Sequence, residues 1–203
     1  ANYLCMHPKP QEPRYASYHK HDNALLYGAE YQLSHKRNYG SMDSPYHHDK
    51  DAACSVCQDD TIISTYVAWG RQTCEHGHTT LYAGHVMSER YTHYRSEFIC
   101  VDSELAYHGA SSDAHGNGAR LYLTEMRSGA SDEAQYPNGI EISCALGGVP
   151  MSAPSSAAGP NAPHGGVVYT RWGASVCSAE VRPLYSGFVA GSHYTHSGGG
   201  SNH

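Results

Sequence analysis

The chain has 203 residues and a formal net charge of −6 with neutral histidines, and it contains no long basic run. That balance argues against nucleic acid as the main partner, and the short apolar runs exclude membrane insertion through apolar helices. Tyrosine (17) and histidine (16) are far more frequent than phenylalanine (2), and there are 21 glycines. Tyrosine joins an apolar ring to a polar tip, which suits half-exposed walls and binding surfaces better than a plain core.

Taken in chain order, the candidate strands are short and rich in Tyr, Val, Thr and Ile. They are NALLYGAEYQL (23–33), TIISTYVAW (61–69), HTTLYAGHVM (78–87), GARLYLTEM (118–126), GIEISCAL (139–146), GGVVYTRW (165–172) and RPLYSGFVAG (182–191). Gly, Pro, Ser and an Asn-Gly pair at 138–139 separate them, which is the vocabulary of strands and turns. The best helical candidate, residues 103–107, is a turn or two long. An all-β fold is therefore expected.

Residues 66–93 and 169–196 align without a gap and share 11 of 28 positions, among them Trp-Gly, Cys, Leu-Tyr and Tyr-Thr-His. Such self-similarity marks a repeat. The flanking parts match only when the chain is read as a ring. Residues 98–100 (FIC) answer to 2–5 (NYLC), 115–126 to 21–31, and 141–147 to 52–57. Tyr66 to Tyr169 is 103 residues, and Tyr169 round the ring to Tyr66 is 100. The expectation is two pseudo-symmetric, disulfide-stapled halves in circularly permuted order. One is residues 1–57 plus 166–203 and the other 58–147, with a Pro/Ala/Ser/Gly-rich linker over 148–165. The termini then fall in the glycine-rich loop after His196.

Seven cysteines in a chain of this size read as a disulfide framework and a secreted, extracellular protein. The opening, ANYLCMHPKP, has neither a basic nor an apolar leader segment, so a signal peptide is expected to have been removed or never to have been part of it. No Asn-x-Ser/Thr sequon occurs. Cys74 and Cys100 match Cys177 and Cys5, so the favoured pairs are Cys74–Cys100 and Cys5–Cys177, with a cross-half exchange as the rival. Cys54, Cys57 and Cys144 remain. Cys57, matched by Gly147, is the candidate unpaired or interchain thiol. A zinc or redox reading of Cys54-Ser-Val-Cys57 lacks a second CxxC.

Histidine clusters at 19–22, 47–49 and 76–78 invite a metal reading, but most histidines do not repeat between halves and read as solvated surface. Spacings such as H-E-x-x-H or G-x-S-x-G are absent. The recurring Tyr-x-x-Trp-Gly and Tyr-Thr-His carry a choice between core tryptophans and a sugar site. In the latter, a ring face stacks on a pyranose while polar groups bond its hydroxyls. The candidate carbohydrate-binding residues are Trp69, Tyr91, His93, Trp172, Tyr194 and His196. The two histidines would bond hydroxyls, and the tryptophans or a neighbouring tyrosine would be the platform. No metal or other cofactor is expected.

In ring order, GGVVYTRWG…C…LYSG…AGSHYTHSGGG followed by ANYLC…LYGAEY…CSVC resembles the non-collagenous tail of short-chain, spongin-type collagens of sponges and cnidarians. It also resembles a related sponge galactoside-binding lectin. The resemblance covers nearly the whole chain and implies a secreted, disulfide-bonded, β-rich protein. No Gly-X-Y tract is present, so the chain cannot build a triple helix by itself. The expected function is a non-enzymatic lectin for galactose-containing glycans such as lactose. It would cross-link them through pseudo-equivalent sites or as a homo-oligomer. A self-assembling matrix module is the runner-up, and a histidine-rich metal binder or enzyme a distant third.

Overall fold

A computed structural model of the chain describes residues 2–12, 24–33, 47–109, 116, 118–127, 129, 133–151 and 166–197. The described residues form ten strands and no helix: β1 (Leu4–Met6), β2 (Tyr27–Tyr31), β3 (Ala53–Asp59), β4 (Ile62–Trp69), β5 (Thr79–Ser88), β6 (Ile99–Asp102), β7 (Ala119–Leu123), β8 (Ser143–Pro150), β9 (Val167–Trp172) and β10 (Arg182–Gly191). Seven strands close a barrel in the order β5-β6-β9-β3-β10-β2-β7 and back to β5. β8 and then β4 extend from β5, and β1 lies on β10. The fold is all-β, as the strand-and-turn vocabulary predicts.

Three strands escape that vocabulary. β1, β3 and β6 lie in the cysteine-bearing segments NYLC, AACSVC and FIC. β3 is buried almost throughout between β9 and β10, so it shows no alternation of apolar and polar residues. Residues 103–107 make a turn: Asp102 accepts the Glu104 N–H at 2.9 Å, and Leu105 takes a positive φ of 47°. Residues 148–150 belong to β8 and so shorten the expected linker. The rest of that linker from 152 on, the histidine cluster at 19–22 and the glycines after Ser197 lie outside the described residues.

The two Trp-Gly pairs end β4 and β9. Gly70 and Gly173 adopt φ of +79° and +78°, a backbone that glycine takes without strain. Gly84 and Gly187 answer a different need. A Cβ on Gly84 would run into the Val101 carbonyl, and one on Gly187 into that of Met6. These glycines let β6 and β1 lie close against β5 and β10.

The core falls into two clusters. One gathers Tyr31, Leu33, Met87, Val101, Leu121 and Val189, and the other Ile62, Leu81, Tyr82, Val86, Leu146 and Tyr169. Several tyrosines are core residues here, contrary to the expectation of half-exposed walls. Tyr3, Tyr31 and Tyr82 donate their hydroxyls to the carbonyls of Arg120, Ala106 and Cys100 at 2.9, 3.0 and 3.0 Å. A paired hydroxyl removes most of the cost of burying it. Burial pushes all three phenols well above their ordinary range.

The disulfides correct the expected pairing. Cys5 bonds Cys54, Cys57 bonds Cys177, and Cys100 bonds Cys144, while Cys74 is free. β10 pairs with both β1 and β3, which brings Cys5 beside Cys54. β5 pairs with both β6 and β8, which brings Cys100 beside Cys144. Of the matched cysteines, Cys5 and Cys100 bond alike, to Cys54 and Cys144, whereas Cys177 is bonded and Cys74 is not. Cys57 is therefore not the unpaired thiol. Cys74 is, because the residue its sulfur lies against is a glycine, Gly147. A Cβ on Gly147 would lie 2.9 Å from the Cys74 sulfur.

Candidate functional site

The two Tyr-Thr-His turns follow β5 and β10. Each closes on a backbone bond, from His93 N–H to Arg90 at 2.8 Å and from His196 N–H to His193 at 2.9 Å. Rather than forming two separate sites, the turns meet. Tyr94 N–H donates to the Tyr194 carbonyl at 3.2 Å, and the His93 and Tyr194 rings are 4.6 Å apart. Tyr194 also stacks on His193 at 4.6 Å, with the Arg120 guanidinium 4.0 Å from its ring centre. His196 is exposed and packs on His193 and Tyr27.

His93 donates Nδ1–H to Glu89 Oε2 at 2.8 Å, and Glu89 Oε1 accepts the Arg120 N–H at 2.7 Å. Burial pushes the Glu89 carboxyl above its ordinary range, while His93 and Arg120 pull it down. The pair is a fixed strut, and the His93 ring is turned edge-on to Tyr122 at 5.7 Å.

Beside this strut opens a cleft of about 680 Å³, lined by Glu89, Arg90, Tyr91, Phe98, Tyr122, Leu123, Thr124, Glu125 and Arg127. Tyr91 is 88 % exposed and Phe98 59 %, so ring faces stand open to a ligand. Arg127 Nη2 and Glu125 Oε2 pair at 2.9 Å on the same wall, offering donors and acceptors side by side. The volume lies in the range of small-ligand sites. The chain matches no protein-family model, no curated protein and no solved structure.

The two tryptophans sit elsewhere but together. β4 and β9 flank a groove of about 310 Å³ whose lining includes Thr65, Val67, Trp69, Val168, Thr170 and Trp172, with Phe98 in both cavities. Trp69 is 49 % exposed, while Trp172 is half-buried against the barrel core. Of the six candidates, then, Tyr91 lines the cleft, and Trp69 and Trp172 line the groove. His93, Tyr194 and His196 build the cluster of rings and do not line the cleft. Glu89, Phe98, Tyr122, Glu125 and Arg127 were missed. Phe98, Tyr122 and Glu125 belong to FIC, a landmark of the repeat, and LYLTEM, which reads as a strand, and neither reading marks a site. Among the described residues no group of three or more His, Cys, Asp and Glu could hold a metal ion.

Proposed function

We propose that the protein is a secreted, non-enzymatic lectin for β-galactosides such as lactose, with the cleft beside Tyr91 as its site. The observation that carries this reading is the pairing of open ring faces, Tyr91 and Phe98, with the Glu125–Arg127 pair on one wall. A ring face covers the C–H face of galactose, and the charged pair bonds its hydroxyls in two directions. His93 supports the site indirectly, by holding Glu89 in the wall. Three disulfides are compatible with an extracellular protein.

The halves are read as permuted repeats, in line with the resemblance to sponge collagen tails and their related lectin. Equivalent ladder registers support this: Trp69 faces Cys144 and Trp172 faces Cys54, while Val86 faces Cys100 and Val189 faces Cys5. Under that reading Phe98 answers to Tyr3, which is only 4 % exposed. One half then keeps an open cleft and the other fills its own. Cross-linking of glycans follows from a homo-oligomer rather than from two sites per chain.

The test is lactose titration by calorimetry and retention on a lactose column. Tyr91→Ala weakens binding roughly tenfold, the loss of about 1.5 kcal/mol from one ring face. His93→Ala, which releases Glu89 from the wall, weakens it as well. Undiminished lactose binding in Tyr91→Ala places the site elsewhere. A self-assembling matrix module is the second reading, favoured by the exposed apolar side chains Ile63, Trp69 and Val168. Concentration-dependent sedimentation with no lactose retention would favour it.

A further inference from the structure

The groove between β4 and β9 is not used by the galactoside site, yet it adjoins it. Phe98 lines both cavities. The two cavities differ in charge. The cleft carries Glu89, Arg90, Glu125 and Arg127, whereas among the described residues no charged side chain lines the groove. The groove instead offers Trp69, Trp172 and the hydroxyls of Thr65 and Thr170.

We propose that the groove is an extension subsite for the neutral sugars that follow a terminal galactose. The preferred ligand is then an uncharged, galactose-terminated oligosaccharide rather than a single disaccharide. The inference rests on the galactoside reading of the cleft. Aromatic rings on both sides of Phe98 give successive sugar rings successive apolar faces. A carboxylate or sulfate on those later units would be desolvated against Trp69, Val67 and Val168 without a counter-charge, so the lining selects against it.

The experiment is calorimetry on the intact chain with three ligands: lactose, the neutral tetrasaccharide lacto-N-neotetraose, and that tetrasaccharide sulfated on its internal galactose. The neutral tetrasaccharide binds at least tenfold tighter than lactose, and the sulfated one loses that gain. Trp69→Ala brings the ratio of the two affinities towards one, and Trp69→Phe, which keeps a ring, restores most of it. Both tryptophans of the chain line the groove, so their emission shifts with the tetrasaccharide and not with lactose. Equal affinities for lactose and tetrasaccharide overturn the inference and leave the galactoside site standing. So does a sulfated ligand that binds as well as the neutral one, or a ratio that survives Trp69→Ala. Failure of lactose itself to bind removes the galactoside reading, and the extension with it.

Discussion

Arg171 ties β9 to β6 and to the turn that follows β6. It donates from Nε to Asp102 Oδ2 at 2.7 Å, from Nη1 to the Val176 carbonyl at 3.0 Å and from Nη2 to Glu104 Oε1 at 2.9 Å. Asp102 is 3 % exposed, so removing its partner strands a buried carboxylate. Arg171→Ala is expected to cost about 3–5 kcal/mol in urea denaturation. Glu104→Ala removes a largely exposed arm and costs about 1 kcal/mol or less. His85 supplies a pH dependence. Burial holds its imidazole below the ordinary range, so the folded chain binds that proton less readily than the unfolded chain. Its contribution is whole above about pH 6.5 and is lost as the pH falls from there through the folded value. Unfolding free energy should therefore drop between pH 7 and pH 5. His85→Phe, copying Phe188 at the matched position, should make that drop smaller. His47, held down by burial in the same way, keeps its own share.

The strands explain why one cysteine is left over. β8 lies between β4 and β5 and brings Gly147 opposite Tyr66, while β3 brings Cys57 opposite Tyr169. Cys177 reaches Cys57, and Cys74 reaches a glycine. Thiol titration of the unfolded, unreduced chain should find one free thiol. In Gly147→Cys it should find none, and the peptide map should show Cys74 bonded to the introduced thiol. The Tyr66 ring stands 2.7 Å from the new Cβ and has to turn aside. The bond's stabilisation, about 2–4 kcal/mol for a typical disulfide, is thus offset by about 1–3 kcal/mol of repacking. A variant with two free thiols would mean that the loop bearing Cys74 does not approach β8 as described.

The closed barrel joins strands far apart in the chain, and the disulfides tie down different spans of it. Cys57–Cys177 spans 120 residues, against 49 for Cys5–Cys54 and 44 for Cys100–Cys144. In the chain-entropy account, opening the longest loop costs about 1 kcal/mol more than opening the shortest. The double variant Cys57→Ala, Cys177→Ala should accordingly unfold at lower urea than Cys100→Ala, Cys144→Ala. Equal midpoints would mean that local packing around each bond outweighs loop length. Much of this architecture is legible in the residues. Val-, Tyr- and Thr-rich runs between turns specify strands because β-branched and aromatic side chains fit a pleated surface locally. The Trp-Gly pairs mark strand ends because only glycine sits easily at the positive φ found there. What the residues could not disclose depends on pairing between distant strands. The partner of Cys5, the meeting of the two Tyr-Thr-His turns, the sharing of one groove by Trp69 and Trp172, and the exposure of Phe98 against the burial of Tyr3 are all of this kind. Each follows from which edge of β5 or β10 a remote strand occupies. That choice is the sum of many weak contacts across the barrel, and no single run of sequence carries it.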